Sequence, residues 1–149
     1  MEGELLFFAQ TDTTVGLLCS SSDRLSLAKE RPSSKKFITE VASFKKLKSL
    51  VRIHKRHRKT LRNSNKCTFV QTTANFSFRV PKHPSMHVDF IAKYGAIYST
   101  SANKSGEKFS FDFANSICDV IVIDKRGFEE KSPSRVLKLG KRKLKKIRG

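Results

Sequence analysis

Apolar and polar positions change their period several times along the chain, and each change marks an element. Leu5–Ala9 is a short continuous apolar run, as a strand buried on both faces requires. Thr11-Asp12-Thr13-Thr14 then reads as a loop leaving that strand, before Gly16-Leu17-Leu18-Cys19 resumes the apolar pattern. Ser21-Ser22-Asp23 offers an N-cap for a short helix from Arg24 to Ala28, with Leu25 and Ala28 on one face. Pro32 pushes Arg31 toward extended backbone, so Lys29 and Arg31, two residues apart, are expected to point the same way from a strand.

From Thr39-Glu40, the apolar residues Val41, Phe44, Leu47, Leu50 and Val51 recur at helical spacing, and the helical reading continues through Arg62. Lys66–Gln71 and Asn75–Val80 are β-prone runs that suit a hairpin, and the alternation of Phe76, Phe78 and Val80 with Ser77 and Arg79 sets Arg79 opposite the core. Ser85 caps a helix over Met86–Lys93 that ends near Gly95. The run Ala96-Ile97-Tyr98 follows as a strand, then the hydroxyl-rich turn Ser99–Gly106. Phe111–Ile117 reads as a helix, Asp119–Asp124 as a buried strand, Lys125-Arg126-Gly127 as a turn and Ser132–Leu139 as another strand. This mixture predicts an α/β fold.

Length and charge sharpen that picture. A chain of 149 residues with 38% hydrophobic content is most simply one domain, residues 1–149, with a real core. Its net charge of +18 is extreme for that length and attracts polyanions, of which RNA, DNA and acidic membranes all qualify. The charge is concentrated, since no Asp or Glu occurs from Val41 through Val88. Within the basic helical segment at about 41–66, Lys45, Lys48, Arg52, Lys55, Arg56, Arg58, Lys59 and Arg62 are the candidate RNA-binding cations, because a solvated helix face normally interleaves signs. A second basic stretch, 141–149, closes the sequence with Leu144 and Ile147 as its only apolar anchors.

Cys19, Cys67 and Cys118 are widely spaced and odd in number, which points to reduced, buried thiols in a cytoplasmic protein. His54 with His57, or His83 with His87, stands among cations and away from carboxylates, so surface histidines are expected and no metal held by protein ligands. The start, Met1 to Ala9, predicts neither an export signal nor a membrane span.

The stretch Ser99–Gly106 carries the chemistry of a ligand loop: Ser101, Asn103 and Ser105 supply donors, small side chains leave the backbone amides accessible, and Lys104 adds charge. Five segments then occur in a telling order: Thr11-Asp12-Thr13 with Gly16-Leu17, Lys29-Glu30-Arg31-Pro32, Phe78-Arg79-Val80-Pro81, Ser101-Ala102-Asn103, and Ser134-Arg135-Val136. In that order they resemble the YrdC/YciO family, over nearly the whole chain.

The resemblance implies a twisted mixed β-sheet flanked by helices, with a basic concave face. It further implies a threonylcarbamoyl-AMP synthase acting in N6-threonylcarbamoyladenosine modification at position 37 of tRNA. There, L-threonine and bicarbonate form a carbamate that attacks the α-phosphate of ATP and expels pyrophosphate, with Mg2+ carried on the phosphates. Lys29, Arg31, Ser101 and Asn103 are then the catalytic candidates. Thr11, Thr13, Thr68, Arg79, Ser99, Ser105, Ser134 and Arg148 are the substrate- and nucleotide-binding ones. The implied partners are tRNA or other structured RNA and proteins of the tRNA modification pathway, with no membrane.

The sequence also departs from the family's pattern. Gln10 stands where a proline usually precedes T-D-T, Val15 where a tyrosine is common, and Asn65-Lys66 where a Gly-Pro step lets backbone approach the nucleotide. The helix that usually precedes the first strand is also absent from the pattern. The alternative reading is therefore a catalytically lapsed, YciO-like protein that binds double-stranded RNA.

Overall fold

The computed structural model describes residues 4–32, 34–82, 85–104, 106–140 and 143–148. Among them the elements run β1 (Phe7–Gln10), β2 (Val15–Cys19), α1 (Ser22–Lys29), β3 (Ile38–Val41), α2 (Phe44–Leu50), α3 (Lys55–Asn63), β4 (Cys67–Gln71), β5 (Phe76–Arg79), α4 (Met86–Ala92), β6 (Ala96–Ser101), α5 (Phe111–Ile117), β7 (Val120–Ile121), β8 (Arg135–Leu139) and β9 (Leu144–Arg148). The class is mixed α/β, as the sequence pattern predicts. Contacts divide the chain into two compact units, one of Met1–Phe37 with Ile97–Ser132, the other of Ile38–Ala96 with Pro133–Gly149.

In the first unit the strands lie in the order β7-β1-β2-β6. β2 is antiparallel to both β1 and β6, with Phe8 opposite Leu17 and Leu17 opposite Thr100, while β7 joins β1 in parallel. Leu6, Phe8, Leu17, Leu25 and Ala114 form the core of this unit, and Phe128 stacks on Phe8 with ring centroids 4.4 Å apart. The helix α1 begins where Ser21 accepts a hydrogen bond from Arg24 N at 3.2 Å and ends at Glu30 in the left-handed region, φ 50°.

In the second unit the order is β3-β5-β4-β8-β9, with β3 and β5 parallel, β4 and β5 an antiparallel hairpin, and β4 and β8 parallel. The core gathers Val41, Leu47, Ile53, Leu61, Phe69, Phe78 and Leu139. Alternation along the hairpin puts Phe69 and Phe78, which are register partners, on this core face and Thr68 and Arg79 on the other.

Three differences from the sequence reading have physical reasons. Thr39-Glu40 lie in β3 rather than opening a helix, because Ile38–Val41 is β-branched at three of four positions and pairs in parallel with β5. The basic block is two helices, not one. A continuous helix would rotate Ile53 roughly 120° away from the buried face of Leu47; instead Val51 becomes extended, Ile53 is buried, and His54 caps α3 by accepting from Arg56 N at 3.3 Å. The basic tail forms β9, antiparallel to β8 with a register shift between Val136 and Leu137, and its Leu144 and Ile147 are exposed. His57 and His87 are buried rather than exposed, and of the three free thiols Cys19 and Cys67 are buried and Cys118 partly so. Burial raises the pKa of all three thiols.

Candidate functional site

The residues nominated from sequence fall into several groups, each within one unit. In the first unit, Lys29 is the last residue of α1, and the residue is 4% exposed. Its Nζ donates to Ser101 O at 2.8 Å, to the Asn103 carbonyl oxygen, and more weakly to Asn103 Oδ1 at 3.4 Å. Thus Lys29, Ser101 and Asn103 are brought into direct contact. Ser101 Oγ donates to Asn103 Oδ1, and Asn103 Nδ2 donates to the carbonyls of Lys104 and Glu107 at 3.0 and 2.7 Å, so the loop is fixed from both sides. Burial first, and the Arg31 charge second, lower the Lys29 pKa to about 8.

Arg31 does not share a strand with Lys29. Glu30 reverses the chain, and Arg31 donates to Lys36 O at 3.1 Å with its guanidinium 4.5 Å above the Phe37 ring. Ser99 is buried within β6, not in a turn, since the strand extends to Ser101. Ser105 lies outside the described residues, as does His83.

The T-D-T loop is also fixed. Thr11 Oγ1 donates to Thr14 O at 2.5 Å and accepts from Thr13 N at 3.2 Å. Both Thr11 and Thr13 are buried. A Cβ at Gly16 would stand 2.8 Å from Thr11 Cγ2 and 3.3 Å from Thr100 O, which is why glycine follows the loop there. Arg126, read from sequence only as a turn residue, donates to Gln10 O at 3.0 Å and is held by Asp124 at 2.6 Å.

In the second unit, Thr68 Oγ1 and Ser134 Oγ lie 2.7 Å apart, both buried. Arg148 Nε and Nη2 donate to Ser134 O at 3.1 and 2.9 Å, with Nη2 3.4 Å from Ser134 Oγ. Thr68, Ser134 and Arg148 are therefore one cluster. Arg79 is on the face opposite Phe78, as alternation predicts, but that face is covered as well: Arg79 is buried and donates to Glu40 Oε1. His87 Nε2 donates to Glu40 Oε2 at 2.5 Å. Burial alone would raise the Glu40 pKa, yet the charges of Arg79 and His87 and their hydrogen bonds hold it down to about 2. Sequence reading missed Glu40 and His87. The alternating, β-branched Ile38-Thr39-Glu40-Val41 was the available signal, since a strand there sets Glu40 beside another strand.

Of the basic candidates, Lys45, Lys48, Arg52, Lys55, Arg56, Lys59 and Arg62 are exposed, and Arg58 is half-buried with Nε donating to Ile53 O at 3.2 Å. Arg62 and Lys48 both lie over the Phe44 ring, 4.7 and 5.4 Å from its centroid.

The model of the Sua5, YciO and YrdC proteins, described as "Telomere recombination", matches residues 1–149. The chain belongs to this family. Its fold recurs in P. abyssi Sua5 complexed with L-threonine, at 21% identity and TM-score 0.76, covering 97% of this chain and 50% of that one. It recurs in E. coli YciO, at 17% identity and TM-score 0.76, covering 97% and 82%. Full-length HypF in its phosphate- and nucleotide-bound form contains it too, at 14% identity and TM-score 0.70, covering 96% of this chain and 26% of that one. The chain thus spans half the length of the P. abyssi Sua5 it matches, and at these identities the likeness is one of fold. No curated protein matches it in sequence. Among the described residues no helix is long and apolar enough to cross a membrane.

Proposed function

We propose that this Sua5/YciO/YrdC-family chain is a threonylcarbamoyl-AMP synthase acting in tRNA N6-threonylcarbamoyladenosine modification, with ATP, L-threonine and bicarbonate as substrates. The observation that carries this reading is the contact of Lys29 Nζ with Ser101 and Asn103, which joins two motifs 72 and 74 residues apart into one centre. The P. abyssi Sua5 structure with L-threonine and the HypF structure with phosphate and nucleotide support the same substrate classes.

The reaction needs no protein nucleophile. Threonine's amine and bicarbonate condense to a carbamate with loss of water, a carbamate oxygen attacks the α-phosphorus, and the bond to the bridging oxygen breaks to release pyrophosphate. The protein's task is to position and to neutralise charge. In this reading Lys29 shapes the Ser101–Asn103 loop, whose hydroxyl and amide meet nucleotide or carbamate oxygens, and Arg31 supplies charge. In the first unit Thr13 meets threonine; in the second, Arg79 meets a carboxylate or a phosphate, and Ser134 and Arg148 another phosphate. The Lys29, Ser101 and Asn103 centre offers no carboxylate to a cation, which suits a Mg2+ ion that arrives on the phosphates. Incubation with ATP, L-threonine, bicarbonate and Mg2+ tests the proposal: pyrophosphate release that depends on threonine is expected, and its absence across Mg2+ concentrations overturns it.

A second reading, binding of double-stranded RNA or tRNA, is favoured by the exposed cations of α2 and α3 within a stretch free of acids. Duplex RNA is expected to bind at low salt and to be released steeply as salt rises. Weak or salt-insensitive binding removes this reading.

A further inference from the structure

The side of the second unit on which α2 and α3 carry their charge is fixed by packing. Leu47 of α2, Ile53 between the helices and Leu61 of α3 share a core with Phe69 and Phe78. Alternation turns Thr68 and Arg79 to the other face of the β4–β5 hairpin, and there Thr68 meets Ser134. The basic helices therefore cover one face of the hairpin, and the Thr68, Ser134 and Arg148 cluster lies on the opposite one.

Where α2 ends, Val51 turns extended, and Lys48, Arg52 and Arg58 come to line one cleft of about 290 Å³. Arg58 is half-buried, and its Nε donates to Ile53 O at 3.2 Å. That bond fixes the guanidinium and leaves Nη1 and Nη2 without a hydrogen-bond partner among the described residues. Lys48 and Arg52 are exposed, and none of the three cations joins an ion pair among the described residues. The negative end of α2 offsets only about half a unit charge, so it accounts for one cation and not for three. With no Asp or Glu from Val41 through Val88, the remaining charge goes unrelieved, and like charges gathered in this way cost stability. A guanidinium fork held in place, with two further cations beside it, is the arrangement that recognises a phosphate. Leu50 is the one large apolar side chain that α2 and α3 expose among the described residues, too little to enter a bilayer.

We propose that the cleft of Lys48, Arg52 and Arg58 binds a backbone phosphate of duplex RNA, on the face of this hairpin opposite Thr68 and Ser134. The inference rests on the RNA-binding reading and assigns it a place. Its consequence is that RNA and a nucleotide phosphate at Ser134 occupy different sides of one sheet, so that one does not displace the other.

The test measures binding of a labelled RNA duplex of about 16 base pairs to the full chain by fluorescence anisotropy at constant ionic strength. Lys48→Gln with Arg52→Gln is expected to weaken binding about tenfold, whereas Lys145→Gln with Lys146→Gln, an equal loss of exposed charge on β9, weakens it less than about threefold. Arg58→Lys keeps the charge and loses the fork; it is expected to weaken binding about threefold with the salt slope unchanged. Saturating ATP is expected to leave the RNA affinity within about twofold, since its phosphates are read on the other face. Equal losses in the two double variants, or displacement of RNA by ATP, overturn the proposal and leave the RNA-binding reading standing. Should ATP not bind, lysine acetylation read by mass spectrometry takes its place: RNA is expected to protect Lys48, and an unprotected Lys48 overturns the proposal. Should the wild type bind no duplex at low salt, the RNA-binding reading and the proposal fall together. Vesicles of phosphatidylserine and phosphatidylcholine that bind the wild type but not the Lys48, Arg52 variant would then assign the cleft to lipid phosphate instead.

Discussion

The ammonium of Lys29 lies 2.8 Å from the carbonyl oxygen of Ser101, and with the Asn103 carbonyl it draws the Ser101–Asn103 segment onto the end of α1. The lysine is thereby a structural cation first, its donors spent on the chain rather than aimed outward. Lys29→Met keeps the apolar stem and removes the donors. It leaves two loop carbonyls without their partner, at about 1–3 kcal/mol each where water cannot replace it. Loss of ATP binding and a lower urea midpoint are expected together, whereas Ser101→Ala, at an exposed hydroxyl, lowers ATP binding with little change in midpoint. Because burial and Arg31 lower the Lys29 pKa to about 8, the unfolded chain binds more protons than the folded one between about 8 and the ordinary 10.5. The contribution of Lys29 to stability therefore rises with pH across that window. Subtracting the urea midpoints of Lys29→Met from those of the wild type between pH 7 and 10.5 isolates it; a flat difference contradicts the assignment.

Glu40 gives the opposite window. Its pKa of about 2, against an ordinary 4.5, means that the folded state holds the carboxylate ionised where the unfolded chain takes up a proton. The stability it supplies is complete above about 4.5 and is lost as pH falls toward 2. Acid unfolding followed by circular dichroism is expected to show this dependence in the wild type and to lack it in Glu40→Gln. Glu40→Ala is expected to cost about 3–5 kcal/mol, because it breaks a buried ion pair by removing one partner.

Much of the first unit was legible because its signals are local. Ser21 and Gly16 each act on the backbone within a few residues, and the apolar runs at Phe7–Gln10 and Val15–Cys19 have a single sensible use, whereas the strand read from Pro32 gives way to the end of α1 at Lys29 and Glu30. The grouping of Lys29 with Ser101 and Asn103 was legible only through family resemblance, since no local rule links residues 72 apart in sequence. The surroundings of Arg79 were not legible. Alternation set it opposite Phe78, but the partner that buries it comes from β3, and β3 was hidden by a helical spacing running on from Val41. Ile53 shows the same limit from the other side: its burial, a tertiary demand, interrupts a basic stretch whose composition favours one long helix.

Gly16 is the position in the first unit where a methyl group meets least tolerance. A Cβ there would lie 2.8 Å from Thr11 Cγ2, and Thr11 cannot turn aside without losing its bond to Thr14 O at 2.5 Å. Gly16→Ala is expected to destabilise by about 1–3 kcal/mol through overpacking. It should also weaken threonine binding more than ATP binding, since the displaced loop is the one carrying Thr13. Equal losses for both ligands would show that the methyl group disturbs β2 as a whole rather than the loop.

The basic helices allow a prediction in which the structure selects the residues. Arg58 is excluded because its Nε holds Ile53 O at 3.2 Å, and Arg62 because it covers the Phe44 ring, so replacing either disturbs packing as well as charge. Arg52, Lys55 and Lys59 are exposed, with no charged partner among the ion pairs of the described residues. Changing these three to Gln leaves the fold intact, because side chains in solvent contribute little and the like charges around them repel. If they meet RNA phosphates, each releases about one counterion on binding, and the slope of log affinity against log salt falls by about three in the triple variant. The loss is uniform across duplex sequences, since phosphate contacts carry no base information. An unaltered slope with unaltered affinity would move the RNA-binding surface away from α3 altogether, whereas a loss confined to particular sequences would identify these side chains as reading bases.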